Sequence, residues 1–473
     1  MTATAPRRRP WDLALLDQLE AVAVAIAMAL VLKYFLVEAF QIPTGSMQPT
    51  ILGDAQAGIR DRVLADKLTV MLRAPRRWEV MIFRFPNDER ALYIKRIVGL
   101  PGETLELRGG DVWVDGRIAR KPDHVLESVL KEVHPPHRAG AGLDIARHFV
   151  PDSPEGLSLN GDEVVFGPQA TAELSLRASV RDQYSHGYDP DWGIRGSTEP
   201  PRNAVPDLEL ALTARLDTAE GRLVLRHSAD DGELLVTLCG PGVSDPPPLL
   251  RWQPAQGPAR ELAVAPVLRL AAGRDHAVVL RNVDRRVVLT VDGEEWLRVD
   301  DDEAGPRADR PALASLAFAL AGGGRVTDLR IRRDIHYISD WSRAWQPAAA
   351  RWEIPEGHYF ALGDNTQGSL DSRRWERMTY ELKTPVDGRS EITGFWFEAP
   401  SVGRVPPDAN PKYLTGGRIR FADVHGDEFE FTRDQVAGQR LEAAPFVPER
   451  FLLGKATLVF WPVWKPFRWK LIR

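Results

Sequence analysis

Ser46 sits at the centre of QIPTGSMQPT, residues 41–50, a stretch whose residue types suit a fixed nucleophile. Pro43 and Pro49 each fix their own φ, and Gly45 admits backbone angles that a Cβ resists. The segment therefore reads as a stiff loop that holds one hydroxyl in a set direction. A serine hydroxyl is a weak nucleophile at neutral pH until a base takes its proton. The best candidate for that base is Lys95, in YIKRIVGLPGE. A lysine serves as a base only when neutral; its ordinary pKa is about 10.4, and full burial lowers it by ~3 to 5 units. Tyr93, Ile94, Ile97 and Val98 supply the apolar surroundings, while Arg96 is expected on the opposite strand face. Taken singly, a turn serine and a solvated strand lysine are the plainer readings.

These two strings, followed by GDNTQGSLDSR at 363–373 and preceded by an apolar segment, resemble bacterial type I signal peptidase (leader peptidase). The resemblance implies a β-rich catalytic core, a Ser–Lys dyad, and a serine endopeptidase that removes signal peptides from exported preproteins, cutting after small residues. It implies no cofactor and no metal. It assigns Ser46 as nucleophile, Lys95 as general base, and the Ser46 backbone N–H with the Thr44 hydroxyl as oxyanion donors. Ser369 would orient Lys95, with Asp371 and Arg373 as a supporting ion pair. Phe40, Ile42, Met47, Ile51 and Ile94 would line shallow pockets for alanine-sized side chains. Asp364 and Asn365 read as turn formers. Thr366 and Gly368 replace an arginine and an asparagine common in the family. Arg60 and Trp78 stand where a glycine is more usual, which is expected to alter turns without touching the chemistry.

Positioning Ser46 falls first to the segment before it. Residues 21–32 are wholly apolar, and 34–37 and 39–40 extend the run past Lys33 and Glu38. Counted through those charges the stretch is about 20 residues, the length that spans a bilayer's hydrocarbon core as a helix. A cleaved signal peptide, with Val37-Glu38-Ala39 ahead of Phe40, and an amphipathic surface helix are the competing readings. A retained single-pass anchor at 21–40 is favoured because the reactive loop follows at once. A basic tail at 1–20, with Arg7, Arg8 and Arg9, would then stay cytoplasmic, and Lys33 would snorkel towards the far interface. Ser46 would face the outer side of the cytoplasmic membrane, with the lipid bilayer as a partner.

Strand-like runs such as DRVLADKL, WEVMIFRF and ALYIKRIVGL place a first catalytic part at 41–122, completed by 351–375 and 446–473. Between them, 123–350 is rich in proline, glycine and aspartate around short alternating runs, the pattern of an inserted antiparallel β-sandwich. It resembles concanavalin-like or laminin-G-like jelly rolls. A second insertion occupies 376–445. The fold class is therefore mainly β with an N-terminal transmembrane helix. The sandwich would bind a carbohydrate or a protein; on the alternative reading that is the whole function, and the chain is a surface receptor with a vestigial site. A soluble self-cleaving repressor uses the same dyad but needs a DNA-binding domain. Inserted domains are tolerated on surface loops, so deleting about residues 156–333 is expected to leave basal cleavage intact.

At 473 residues the chain exceeds what a single core holds. A net charge of −5 gives no basic footprint for nucleic acid. One cysteine, Cys239, excludes an internal disulfide. His124, His134, His137 and His148 are scattered without HExxH or CxxC spacing, which argues against a metal site. Ser128 and Lys131 fit SxxK, but neither SDN nor KTG accompanies them.

Overall fold

The computed structural model describes residues 11–31, 36–54, 59–134, 145–182, 203–247, 249–263, 268–302, 307, 311–338, 351–397, 409–461 and 469–473. Residues 1–10 of the expected basic tail, with Arg7, Arg8 and Arg9, together with Lys33 and His137, lie outside these residues, and residues 11–20 of it are helical. Helix α1 runs Trp11–Val31, beginning ten residues before the apolar run. Its described apolar side chains include Leu15, Leu19, Val22, Val24, Ile26 and Met28, which are 50% to 61% exposed. Among the described residues no helix is long and apolar enough to cross a membrane. The helix expected at 21–40 does not reach Phe40, because Val37–Gln41 is a strand, β1, paired antiparallel with β2, Arg62–Asp66. VEAFQ alternates exposed and half-buried positions, a period of two that the apolar count passed over.

The sheet that carries Lys95 is antiparallel throughout. Its further strands are β3, Val80–Phe85; β4, Asp88–Gly99; β5, His358–Leu362; β6, Phe446–Pro448; β7, Leu452–Trp461; and β8, Lys470–Leu471. They are ordered β1-β2-β7-β3-β4-β5-β6, with β8 paired to β7. Chain-distant segments thus close one sheet, with β5 lying directly beside β4 although some 260 residues separate their sequences. A four-stranded sheet flanks it: Arg351–Glu353, Thr104–Arg108, Asp111–Val114 and Arg117–Ile118.

Between the two parts of the core stand two large antiparallel sheets that share one apolar core. One contains Leu208–Leu216, Asp275–Val283 and Gly324–Arg333; the other contains Arg222–Ala229, Gly232–Cys239 and Ala314–Ala321. Both send their alternate residues into the same cluster, including Leu210, Leu212, Leu223, Leu225, Val278 and Phe318. Each such side chain, fully buried, contributes about 1.5–3 kcal/mol. This is a β-sandwich. Asp292 and Gly293, both at positive φ, make the tight turn between Arg286–Val291 and Glu294–Asp300. The second insertion contributes two three-stranded sheets around Tyr380, Ile392, Phe421 and Phe431.

The sandwich does not hang free of the core. Val283, Ile335 and Tyr337 pack in one cluster with Trp78, Val98, Leu105 and Phe360 of the catalytic part. Tyr337 N–H also donates to Gly110 O at 2.9 Å. The sandwich side and the core therefore share an apolar contact.

Candidate active site

Ser46 lies in the 3-10 turn Gly45–Met47, entered from extended Thr44. Asn365 ties the turn down: its N–H donates to Ser46 O at 3.1 Å and its Nδ2 to Gly45 O at 3.1 Å. Gln48 Nε2 donates to Gly53 O at 3.0 Å on the other side. A nucleophile needs this kind of restraint, because small misplacements of reacting groups cost large factors in rate.

Lys95 stands on β4 opposite Met81 of β3. Its Nζ donates to Ser46 Oγ at 2.8 Å and to Ile94 O at 3.1 Å. With the amine neutral the first contact reverses, the Ser46 O–H donating to Nζ. Tyr93, two residues back on the same face, places its ring 5.2 Å from Nζ and stacks on Phe85 at 4.4 Å. Burial pushes Lys95 down to about 8, against the pull of the Asp371 and Asp364 charges and with the help of Arg373. Those carboxylates are engaged elsewhere.

Asp371 is bound by Arg373 through Nε at 2.8 Å and Nη2 at 2.7 Å, and it accepts from Gly363 N–H at 3.0 Å. Burial would raise its pKa, yet the Arg373 charge and hydrogen bonds hold it below the usual carboxylate range. Asp364 does more than form a turn. It takes two N–H groups of Arg96, both at 2.8 Å, and the Thr50 hydroxyl, with the ion pair wholly buried. Asp364 thereby joins the residue after Lys95 to the loop carrying Ser46. Arg96 and Asp364 were not singled out as a pair because they lie 268 residues apart. The available signal was an arginine beside Lys95 on a strand covered on both faces, which demands a buried partner.

The remaining expected residues fall as follows. Ser369 is fully buried and lies beside Asp371, but its hydroxyl makes no well-formed hydrogen bond and does not reach Lys95. The amine's hydrogen bonds here are to Ile94 O and Ser46 Oγ, and none is to Ser369. Ser369 instead packs against Gly363, where an added Cβ would lie 2.2 Å from its Oγ and 2.4 Å from Ser46 O. Thr44 is exposed next to the turn, and its side chain makes no capping hydrogen bond. Ile42, Met47, Ile51 and Ile94 pack in one apolar cluster, with Phe40 half-buried against it. Asp111, Asp207 and Asp284 bring their carboxylates together, but Lys121 sits 2.8 Å from Asp284 and Arg307 2.7 Å from Asp207. With two cations inside it, the group reads as an ion network and not as a metal cage.

The family model described as signal peptidase, peptidase S26, matches residues 15–136 and 325–395. Over those residues the chain is similar to signal peptidases of that family. Signal peptidase I of Pseudomonas fluorescens is 48% identical over 110 residues, 22% of this chain and 37% of that protein. The enzyme of Leptolyngbya laminosa is 31% identical over 114 residues, 22% of this chain and 53% of that protein. The chain thus spans about a third to a half of the length of these signal peptidase relatives. Solved structures with some likeness include the carbohydrate-binding module CBM66 from Bacillus subtilis: TM-score 0.23, 9% identity, 40% of this chain and 92% of that one. A Bacillus licheniformis β-glucanase gives TM-score 0.27 at 8% identity, over 44% of this chain and 98% of that one. Likenesses this distant carry no argument about ligand or activity.

Proposed function

We propose that the chain is a membrane-associated serine endopeptidase that removes signal peptides from exported preproteins with a Ser46–Lys95 dyad. The observation that carries the reading is the 2.8 Å approach of a buried amine, its pKa pushed down to about 8, to one restrained hydroxyl. Neutral Lys95 takes the Ser46 proton as Oγ attacks the carbonyl carbon after a small residue. The Ser46 N–H and Thr44 hydroxyl receive the developing oxyanion. Collapse breaks the C–N bond; protonated Lys95 gives its proton to the leaving amine and leaves an ester on Ser46. Lys95 then deprotonates a water, whose oxygen attacks that ester; the acid product departs and Ser46 regains its proton. The Arg373 charge offsets part of the upward pull of Asp371 on the lysine's pKa.

Membrane contact is supported by the outward apolar side chains of α1 and by a nearby exposed set: Val37, Leu68, Met71 and Leu72. These follow α1 through β1 and the short helix Leu68–Leu72. We place α1 in contact with the cytoplasmic membrane and the catalytic sheet at its outer face, where a preprotein's cleavage site emerges. The test is cleavage of a purified preprotein by the full chain in lipid vesicles. Ser46→Ala and Lys95→Ala are each expected to abolish cleavage while the fold persists; activity retained in either variant contradicts the dyad.

A further inference from the structure

Trp78 has φ +74, in the left-handed region, and is 2% exposed. A bulky residue stays in that conformation only where its surroundings hold it. Two sets of contacts do so, and they belong to different parts of the molecule. The backbone of Trp78 clips the strand that carries the lysine: its N–H donates to Ile97 O at 2.7 Å, and its carbonyl accepts from Arg96 Nη1 at 2.6 Å. These are the two residues that follow Lys95. The indole faces the other way, into the cluster that holds Val283 of the sandwich and Ile335 and Tyr337 of the returning chain. Lys121 Nζ lies 5.0 Å from the ring, clamped by Asp284 at 2.8 Å and Asp334 at 2.6 Å. A glycine would accept this backbone conformation without strain, but it would leave the place of the indole empty.

We propose that Trp78 is a positioning residue for Ser46 and Lys95, through which the seating of the sandwich sets the placement of β4. The inference rests on the peptidase reading above. Its route is short: the sandwich holds the indole, the Trp78 backbone holds Arg96, and Arg96 holds Asp364, whose neighbour Asn365 binds the Ser46 carbonyl. A loss of the indole therefore reaches both members of the dyad without removing any group that touches substrate.

The test uses the full chain in vesicles, with Trp78→Gly, Trp78→Phe, the parent and Ser46→Ala. Preprotein cleavage gives kcat, KM and the pH profile of kcat; thermal unfolding is followed in parallel. Trp78→Gly is expected to lower kcat about tenfold or more, with KM changed less than about twofold. A loosened β4 that lets water reach the amine is expected to move the midpoint of the pH profile upward from about 8. Trp78→Phe should fall between the two. A folded Trp78→Gly protein with the parent's kcat and pH midpoint, and only a lower Tm, overturns the proposal, since that is what packing alone gives. Should Trp78→Gly fail to fold, Trp78→Phe decides: reduced kcat with an upward midpoint supports the proposal, and parental values overturn it. A parent no more active than Ser46→Ala would instead remove the peptidase reading and this inference with it.

Discussion

Lys95 and Lys121 are equally buried, each 4% exposed, yet their surroundings move their pKa values in opposite directions. In the dyad region the amine meets a hydroxyl and a carbonyl, and the nearby carboxylates are bound by Arg96 and Arg373; burial prevails, and the pKa falls to about 8. At the junction with the sandwich, burial pushes Lys121 down as well, but Asp284 and Asp334 in direct contact raise its pKa well above the ordinary value. Burial is common to both sites. What separates a base from a structural cation is whether a carboxylate touches the nitrogen, so the arginines that occupy Asp364 and Asp371 are as much part of the chemistry as the lysine.

The difference can be erased from either side. The largest effect is expected at Arg373. Arg373→Met leaves Asp371 unpaired near the dyad, lifts Lys95 towards its ordinary pKa, and should lower kcat at pH 7 by about a hundredfold, one factor of ten per pKa unit. Raising the pH to 10 should restore much of the rate. A deficit that does not change with pH would mean that the pair supports the fold and leaves the lysine's charge alone. Next comes Lys121→Met, which strands two buried carboxylates and should cost about 3–5 kcal/mol in urea unfolding. A loss under 1 kcal/mol would show that Lys121 does not hold the junction. For the same reason, deletion of residues 156–333 is now expected to end activity, because it strips Lys121 of Asp284 and exposes the Trp78 cluster.

The smallest effect has the opposite sign. Lys95 is protonated in the unfolded chain up to about pH 10.5 but in the folded chain only up to about pH 8. A lowered folded-state pKa on a base means that the charged form is penalised by folding. The penalty is full below pH 8 and is relieved as pH rises from 8 to 10.5. Lys95→Met should therefore gain up to about 3 kcal/mol of stability at pH 7 and nothing above pH 10.5, while losing all activity. An equal change at both pH values would contradict a depressed pKa.

Much of this was legible in the sequence, and the gaps have a common cause. Alternation announced the strands of the core and the sandwich, because a half-buried strand writes its period into residue type. Ser46 and Lys95 were legible from a stiff loop and an apolar strand. The pairings Arg96–Asp364 and Lys121–Asp284 were not, since contacts 268 and 163 residues apart leave no local pattern. Trp78 was read as a changed turn; its positive φ agrees with a turn, but its contact with the sandwich needed the three-dimensional arrangement. The far end of α1 was misplaced because the apolar count runs on through Val37–Gln41, which forms a strand.

The central claim is a neutral lysine beside one serine, and the pH dependence of kcat/KM for preprotein cleavage tests it most directly, since that ratio reports the free enzyme's base. The account predicts a rise of tenfold per pH unit that levels off near pH 8. A profile that is flat from pH 6 to 9, or that keeps rising past pH 10, would contradict it.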